Sequence, residues 1–385
     1  MLKNKKILFA SHTLMNGPFV VGSHHLAREL SKQNDVIHLS SPVTPLHFAK
    51  WKDKVTNYKL KRSLRNQRVK INDNLIDIVP FSLIPWKMSR HFFNSSKLNY
   101  TCSTMIPGIK SDIFQHVDVL ILDQPSFIGI ESIINPKITI YRPTDLYTDM
   151  EDDEVIRKAE ALIMNNADAL IGTSEPVLNK IRLLNKKIPR QLIENGVEFE
   201  HFNTYRPEPK DYAHIKGPKA VYMGAIDKRL DMNAIFELAR GIPELNLILI
   251  GPYEEKDIRL IRYEKNIFLF GTREYRDLPG YLQAADIGLL PLSDHPSNQG
   301  RSPMKLYEYA ASGIPVVAKK TTELERRKDN FISIYSDYKE LINTVKRLLD
   351  DASLESNVIK EEARKYSWEN RALLLSEFIE GLNKL

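Results

Sequence analysis

The chain has 385 residues, enough for two domains of ordinary size. Its composition, 42% hydrophobic and 27% charged, excludes an intrinsically disordered chain and indicates a globular one. The formal net charge of +6 favours an anionic partner. We find no nucleic-acid-binding module and no zinc-ligand spacing, so we expect neither nucleic acid nor metal as a partner. A membrane surface or a diphosphate is the expected anionic partner.

The first residues predict a β-strand, from Lys6 to Ser11, rather than a signal peptide. Only four apolar residues follow the basic start before Ser11, too few for the apolar region of a signal peptide. No apolar run approaches the roughly 20 residues that span a bilayer. The single cysteine, Cys102, excludes an internal disulfide and fits a reducing compartment. A cytoplasmic location is therefore expected.

Strands and helices alternate through the first half of the chain. The predicted strands are Lys6–Ser11, Val36–Leu39, Val117–Leu122, Ile138–Tyr141 and Ala169–Gly172, and the predicted helices are Gly22–Lys32, Glu154–Asn165 and Pro176–Leu184. Short apolar runs of this kind are typical of parallel strands that are buried on both faces. The alternation predicts a parallel sheet covered by helices.

A second alternating unit follows the segment Asn203–Tyr212, whose prolines and mixed charge suit a linker. Its predicted strands are Ala220–Met223, Leu245–Gly251, Ile267–Phe270, Ile287–Leu290 and Pro315–Ala318, and its predicted helices are Met232–Arg240, Leu278–Ala284 and Met304–Ser312. A last helix, near Ser367–Leu385, has apolar residues at helical spacing. The prediction is an α/β protein with two Rossmann-like domains, residues 1–203 and 204–366, and a helix, 367–385, that returns to the first domain.

Two N-terminal features are candidates for ligand or membrane contact. His12 follows the first strand, beside a loop with Gly17, and both are candidates for contact with an acceptor substrate. The alternative is that His12 has a structural role only. The segment from Phe81 to Lys97 interleaves basic residues with Trp86, Phe92 and Phe93. This mixture suits an interfacial membrane segment, but it also fits an ordinary helix with its aromatic residues in the core.

The most informative segment runs from Arg301 to Val317. It predicts a helix whose N-terminus, after Ser302, offers free N–H groups and a positive dipole end to a diphosphate. Lys305 can add a positive charge, and Glu308 is placed to accept hydrogen bonds from a ribose diol. Two buried strands flank the helix, so it begins at the edge of the sheet where nucleotides bind. The alternative is a solvated Lys–Glu pair.

Several motifs together resemble glycosyltransferases with two Rossmann-like domains, the GT-B class. Leu192–Phe202 resembles the Asn-Gly-Val element that closes their first domain, and Ala220–Ile226 resembles the strand and turn that open the second. The class implies a cleft between the domains. It also implies that the nucleotide sugar contacts the second domain, here through Gly224, Ile226, Thr272, Arg273, Arg301, Ser302, Met304, Lys305 and Glu308.

Within this class the chain resembles the membrane-associated β-glucuronosyltransferase family of xanthan-gum biosynthesis. The matching pieces are Ala10–His12, Ile140–Asp145 and Ser302–Tyr309. The resemblance implies an inverting transfer from a UDP-sugar, with glucuronic acid as the sugar, to a lipid-linked or surface-polysaccharide acceptor at the inner face of the cytoplasmic membrane. It implies no metal, and Asp145 as the general base. A cap of the following helix is the alternative role for Asp145.

The chain departs from that family at three donor-side positions. Glu308 replaces a glutamine, Thr272 replaces a glutamate, and Leu292 replaces a tyrosine. The large retaining families instead have two glutamates separated by seven residues, and the first would fall on Gly300. A retaining glycosyltransferase and a UDP-sugar epimerase or binding protein are therefore the alternatives.

Overall fold

The computed structural model describes residues 2–17, 20–65, 67–91, 112–258, 261–351 and 355–383. The chain forms two compact units. Unit 1 comprises Met1–Glu194 and Glu369–Leu385, and unit 2 comprises Asn195–Trp368.

Unit 1 is built on an eight-stranded sheet. In chain order the strands are β1 Lys6–Ala10, β2 Asp35–Leu39, β3 Arg68–Asn72, β4 Leu75–Ile78, β5 Val119–Leu122, β6 Ile138–Tyr141, β7 Ala169–Gly172 and β8 Arg190–Leu192. Their order across the sheet is β3-β4-β2-β1-β5-β6-β7-β8. The pairs are parallel except β3 with β4, which is antiparallel.

Among the described residues up to 194, the α-helices are α1 Gly22–Leu30, α2 Lys54–Leu64, α3 Ile130–Ile134, α4 Tyr147–Met150, α5 Glu154–Asn166 and α6 Glu175–Ile181. Strands β5, β6 and β7 are buried at every position because helices cover both faces of the sheet. The order in which the chain adds strands to the sheet reverses between β1 and β5, the two central strands. The loops after these strands lie at the carboxyl edge of the sheet, at its topological switch point.

Unit 2 has a six-stranded parallel sheet. Its strands are β9 Lys219–Met223, β10 Asn246–Ile250, β11 Ile267–Gly271, β12 Ile287–Leu290, β13 Val316–Lys319 and β14 Ile332–Tyr335. The order β11-β10-β9-β12-β13-β14 is the doubly wound order of dinucleotide-binding domains. Its switch point lies between β9 and β12.

The helices of unit 2 are α7 Phe199–Asn203, α8 Met232–Gly241, α9 Glu255–Ile258, α10 Leu278–Gln283, α11 Met304–Ala311, α12 Thr322–Arg326, α13 Tyr338–Asp350 and α14 Ser356–Arg364. The last helix, α15 Trp368–Gly381, belongs to unit 1 from Glu369 onward. Arg371 of α15 pairs with Glu194 of the same unit at 3.1 Å, and Leu375 and Ile379 are fully buried.

The predicted two-domain α/β fold with parallel sheets is confirmed. Strands β6, β7 and β12 have the predicted bounds because each is a short apolar run bordered by polar residues. The antiparallel pair β3–β4 was missed: it lies at the edge, and β3 alternates exposed and half-buried residues. Strand β14 and helix α13 were missed as well, although α13 has a strongly amphipathic sequence.

Gly251, after β10, is the position where the backbone of unit 2 leaves least room. Its φ is +151°, and a Cβ there would lie 1.8 Å from the carbonyl oxygen of Gly224. We expect Gly251→Ala to lower the free energy of unfolding of unit 2 by about 1–3 kcal/mol, as overpacking does. Gly217→Ala is the matched control, because Gly217 also has positive φ, +89°, but its Cβ would meet no atom closer than 3.5 Å. Equal losses in denaturant titrations of both variants would contradict this explanation.

Candidate functional site

The start of α11 lies beside the turn that follows β9, at the switch point of unit 2. Lys305 and Glu308 are three residues apart and so share one face of the helix. A Cβ on Gly224 would lie 2.7 Å from Cε of Lys305, so the lysine side chain crosses directly over this glycine. The absence of a side chain at position 224 is what gives Lys305 its place.

Burial shifts the protonation of both charged groups. Glu308 is 8% exposed, and burial raises its pKa to about 7, against the opposing charge of Lys305. Lys305 is half-buried, and burial lowers its pKa while Glu308 raises it. The solvated ion pair that the sequence also allowed is therefore not what the structure contains.

Further charges surround Lys305. Arg301 and Arg229 both lower its pKa, so their guanidinium groups lie within electrostatic range. The guanidinium of Arg229 forms three hydrogen bonds with Asp227, at 2.9, 3.1 and 2.6 Å. Around Lys305, three cations stand against Glu308 and Asp227, which suits an anionic ligand, while Glu198 adds a third carboxylate near Glu308.

The loop before α11 is fixed from within unit 2. The hydroxyl of Ser302 accepts hydrogen bonds from the backbone N–H of Asn195, at 3.2 Å, and from Arg327, at 3.3 Å. The side-chain amide of Asn195 donates to the carbonyl of Ser302 at 2.8 Å. Asn195 belongs to the Asn-Gly-Val element, which thus orients the donor loop.

The remaining donor-side candidates differ in how they could contact a ligand. Ile226 is 1% exposed and lies in the core, so only its backbone is available. Met304 is half-buried at the first position of α11, and Thr272 is exposed after β11. Arg273 binds Asp211 at 2.8 Å and the hydroxyl of Tyr281 at 2.9 Å. Its guanidinium is therefore already engaged at the β11 edge.

In unit 1, polar residues follow the central strands at the switch point. His12 comes after β1, Asp123 after β5, and Arg142 and Asp145 after β6. Asp123 and Arg142 are buried and form an ion pair at 3.1 Å. Both carboxylates, Asp123 and Asp145, act electrostatically on His12, so these side chains form one group.

Several buried atoms of this group have no hydrogen-bond partner among the described residues: Nδ1 of His12, Oδ2 of Asp123, and Nε and Nη2 of Arg142. Buried polar atoms are nearly always satisfied in native proteins, so a cluster of exceptions indicates a place for a polar ligand or water. Burial lowers the pKa of His12 despite the two carboxylates, which leaves the imidazole neutral at pH 7.

Asp145 is half-buried and lies beside a hydroxyl relay. Thr144 donates to Asp145 at 3.2 Å, the hydroxyls of Thr144 and Tyr147 are 2.8 Å apart, and Tyr147 donates to the carbonyl of Asp123 at 2.8 Å. Helix α4, which follows, has Leu146 at its N-cap and no side-chain cap. Leu146, and not Asp145, is thus the N-cap residue of this helix.

The loop that carries His12 is held by buried residues beneath it. The hydroxyl of Thr13 lies 2.9 Å from Nε2 of His24, and Ser40 donates to the carbonyl of Thr13 at 3.0 Å. Burial lowers the pKa of His24 to about 3, so this histidine is neutral and structural. Gly17 lies in a turn with Leu14, whose carbonyl accepts its N–H at 3.1 Å.

The predicted membrane residues are only partly described. Phe92 and Phe93 lie outside the described residues. Trp86 is half-buried and packs against the main core of unit 1. Over the described ranges, none of the helices combines the length and apolar character needed to cross a bilayer. In the same residues, no three His, Cys, Asp or Glu side chains are grouped so that they could bind a metal ion.

Asp123, Arg142 and Asp227 are charged groups of the two sites that were not singled out as site residues from the sequence. Asp123 directly follows a predicted strand, so the rule that selected Asp145 applies to it as well. Arg142 belongs to the motif that contains Asp145. Asp227 had no comparable signal.

Residues 217–351 match the family model described as "Glycosyl transferases group 1". The match contains β9, Gly224 and the whole of α11. The matched residues all lie within unit 2. The match supports the predicted glycosyltransferase class, and β-glucuronosyltransferase specificity stays a prediction.

A relative of this chain is TuaH of Bacillus subtilis (strain 168). The name of TuaH describes it as a glycosyltransferase of teichuronic acid biosynthesis. The two are 28% identical over 198 residues, which are 47% of this chain and 48% of the relative. The match thus spans about half the length of each protein.

Solved structures share the fold along nearly the whole chain. Sucrose-phosphate synthase from Thermosynechococcus elongatus has a TM-score of 0.69 at 16% identity, covering 99% of both chains. HepE from Anabaena in complex with UDP has a TM-score of 0.67 at 14% identity, covering 98% of this chain and 100% of its own. At these identities the similarity shows the GT-B fold alone.

Proposed function

We propose that the protein is a glycosyltransferase that moves a sugar from a UDP-sugar to a lipid-linked or surface-polysaccharide acceptor. The observation that carries the proposal is the pair Lys305 and Glu308 on α11, whose lysine crosses Gly224 at the switch point of the unit that matches the group 1 glycosyltransferase model. The relation to TuaH supports a cell-surface glycan as the product, and the UDP and UDP-glucose complexes of HepE support uridine diphosphate as the carrier.

The donor side neutralises the leaving diphosphate. Lys305, Arg301 and the N-terminus of α11 supply positive charge, and the transfer needs no metal in this proposal. Glu308, when ionised, accepts hydrogen bonds from the two ribose hydroxyls. These two roles, charge neutralisation by the cations and ribose binding by Glu308, explain why a buried carboxylate lies beside cationic groups.

The acceptor side supplies the base. The acceptor oxygen attacks the anomeric carbon, its proton passes to Asp145, and the bond from the anomeric carbon to the phosphate oxygen breaks with its electron pair leaving on UDP. One displacement of this kind inverts the anomeric centre. Thr144 donates to the Asp145 carboxylate, and the unpaired atoms of His12, Asp123 and Arg142 are suited to acceptor hydroxyls.

The finer parts of the proposal come from the resemblance to the β-glucuronosyltransferases. They are glucuronic acid as the transferred sugar, a polyprenyl-diphosphate saccharide as acceptor, and a peripheral position on the inner face of the cytoplasmic membrane. The positive corner around Lys305 is compatible with a second carboxylate on the donor sugar.

Two measurements test the proposed function. Calorimetry with UDP- and GDP-sugars is expected to show binding of the uridine compounds, and lack of UDP binding would contradict the donor assignment. Anomer-resolved NMR of the product from a competent acceptor is expected to show inversion. Retention would favour the retaining alternative, and isomerisation of UDP-N-acetylglucosamine without acceptor would favour an epimerase.

The raised pKa of Glu308 predicts a pH dependence of donor binding. Because this pKa is about 7, the carboxylate that accepts from ribose becomes populated as the pH rises from about 6 to about 8. The affinity for UDP-glucose, whose diphosphate does not titrate in this range, should increase over that interval. At higher pH it should fall again, since burial also lowers the pKa of Lys305.

Glu308→Gln is the control for this measurement, because an amide does not titrate. Calorimetric affinities of the variant should lose the rise near neutral pH. The same rise in wild type and variant would assign it to another group.

A further inference from the structure

An exposed apolar surface lies on unit 1 between β2 and β3. It consists of a 3₁₀ helix, Pro45–Lys50, a short turn, helix α2 and Arg65, and we call it the 45–65 surface. Six of its large apolar side chains are exposed: Leu46 by 66%, Phe48 by 44%, Trp51 by 57%, Val55 by 39%, Tyr58 by 46% and Leu64 by 59%. Exposed apolar groups concentrated in this way indicate an interaction site.

The same surface carries the net charge of the protein. Residues 45–65 contain seven Lys or Arg and one acidic residue, Asp53, which equals the +6 of the entire chain. Five of the basic side chains are exposed: Lys50, Lys52, Lys54, Lys61 and Arg65. The carboxylate of Asp53 accepts from the N–H of Thr56 and so caps α2. The other 364 residues are neutral in sum, so this segment accounts for the net charge of the chain.

The surface is firmly attached to unit 1. Leu60, on the inner face of α2, belongs to a small core with Val43 and Val79. Arg62 donates to the carboxylate and to the carbonyl of Asp77 in β4, both at 2.7 Å. These buried contacts fix α2, so the apolar side chains on its outer side are exposed by the fold itself.

The composition distinguishes between kinds of partner. Cores of protein interfaces are depleted in lysine, whereas four of the five exposed cations here are lysines. A second copy would bring the same positive surface against itself. Lysines mixed with Trp, Phe and Leu suit the boundary between headgroups and acyl chains, where the rings insert and the ammonium groups meet anionic lipid.

We propose that the 45–65 surface binds an anionic lipid bilayer. The proposal rests on the proposed function in one respect, since a lipid-linked acceptor would give the enzyme a reason to sit on a membrane. It places the membrane contact on residues other than those of the segment around Trp86. Lys59 of this surface acts electrostatically on His12, but none of the residues changed in the test below belongs to the donor or acceptor site.

The test is co-sedimentation of the full chain with vesicles of phosphatidylcholine and phosphatidylglycerol, compared with phosphatidylcholine alone. Wild type is expected to bind the anionic vesicles, and less so at high salt. Lys50, Lys52 and Lys54 changed together to Gln should weaken binding about tenfold or more. The double variant Phe48→Ser, Trp51→Ser should weaken vesicle binding at low and at high salt alike, because salt does not screen the insertion of the rings.

Matched control variants carry the same types of substitution at exposed positions outside the 45–65 surface. Lys186, Lys187 and Lys216 are exposed lysines for the triple Gln change, and Tyr205 is an 81% exposed aromatic residue for the Ser change. These variants should bind vesicles like wild type. All variants are checked for their thermal transition and for UDP affinity, so that failure of lipid binding is separate from failure of the donor site.

Three outcomes would overturn the proposal. One is no preference of wild type for anionic vesicles. Another is unchanged vesicle binding in both 45–65 variants. The third is a concentration-dependent dimer in sedimentation that the Phe48→Ser, Trp51→Ser variant abolishes, since this would make a second copy the occupant.

Discussion

Asp145→Asn is expected to lower turnover by about 10²–10⁴-fold while leaving UDP affinity nearly unchanged. Asparagine keeps the size of the side chain and can still accept a hydrogen bond from Thr144, but it cannot take the proton of the acceptor. UDP affinity should survive because Asp145 belongs to unit 1, whereas the residues that match the group 1 glycosyltransferase model and the proposed donor residues are in unit 2. The measurements are UDP release with a competent acceptor and calorimetry with UDP.

Two comparisons make this result specific. Asp152→Asn changes an exposed acidic residue that pairs with Arg157, and it should leave turnover unchanged. Asp123→Asn removes the partner of the buried Arg142, so it should destabilise unit 1 by about 3–5 kcal/mol in addition to any loss of activity. If Asp145→Asn retains more than about a tenth of wild-type turnover, Asp145 is not the base.

Glu308→Ala is expected to weaken UDP binding about tenfold or more. Hydrogen bonds to charged groups contribute about 1.5–3 kcal/mol, and the ribose would lose a charged acceptor. The change also removes the charge that raises the pKa of Lys305, so the lysine would be less fully protonated opposite the diphosphate. Isothermal titration calorimetry with UDP measures the combined effect.

Glu325→Ala is the matched control for this experiment. Glu325 is an exposed glutamate of unit 2 that pairs with Lys320 on α12, so its loss should not change the affinity for UDP. Unchanged UDP affinity in Glu308→Ala would remove Glu308 from the donor site. Reduced affinity in both variants would indicate a general effect of negative charge.

The motif at residues 301–308 predicted helix α11 correctly but could not give the state of its charges. Spacing alone places Lys305 and Glu308 on one face of a helix, which is equally the pattern of a solvated pair. The helix start packs against the Gly224 turn, and the loop before it is held by Asn195; both residues are more than 80 positions from Glu308. Burial of Glu308 is therefore a product of long-range packing.

The site residues of unit 1 were also only partly evident from the sequence. The position of Asp145 after an inner strand was evident, and the family resemblance supplied its role. The ion pair of Asp123 with Arg142 was not evident, because it joins the ends of β5 and β6, which are adjacent only in the sheet. The segment from Phe81 to Lys97 was chosen for its aromatic and basic residues, yet Trp86 packs against the core.

The sequence by itself determined the alternation of strands and helices, the two α/β units and the class of nucleotide-binding domain. These follow from local patterns: apolar runs, helical periodicity and the residues that end each element. Only the tertiary structure decided which charges are buried, which polar atoms meet at a switch point and which apolar side chains remain exposed. Each of these depends on contacts between elements far apart in the chain, and burial, which sets the pKa values of Glu308 and Lys305, exists only after the units have packed.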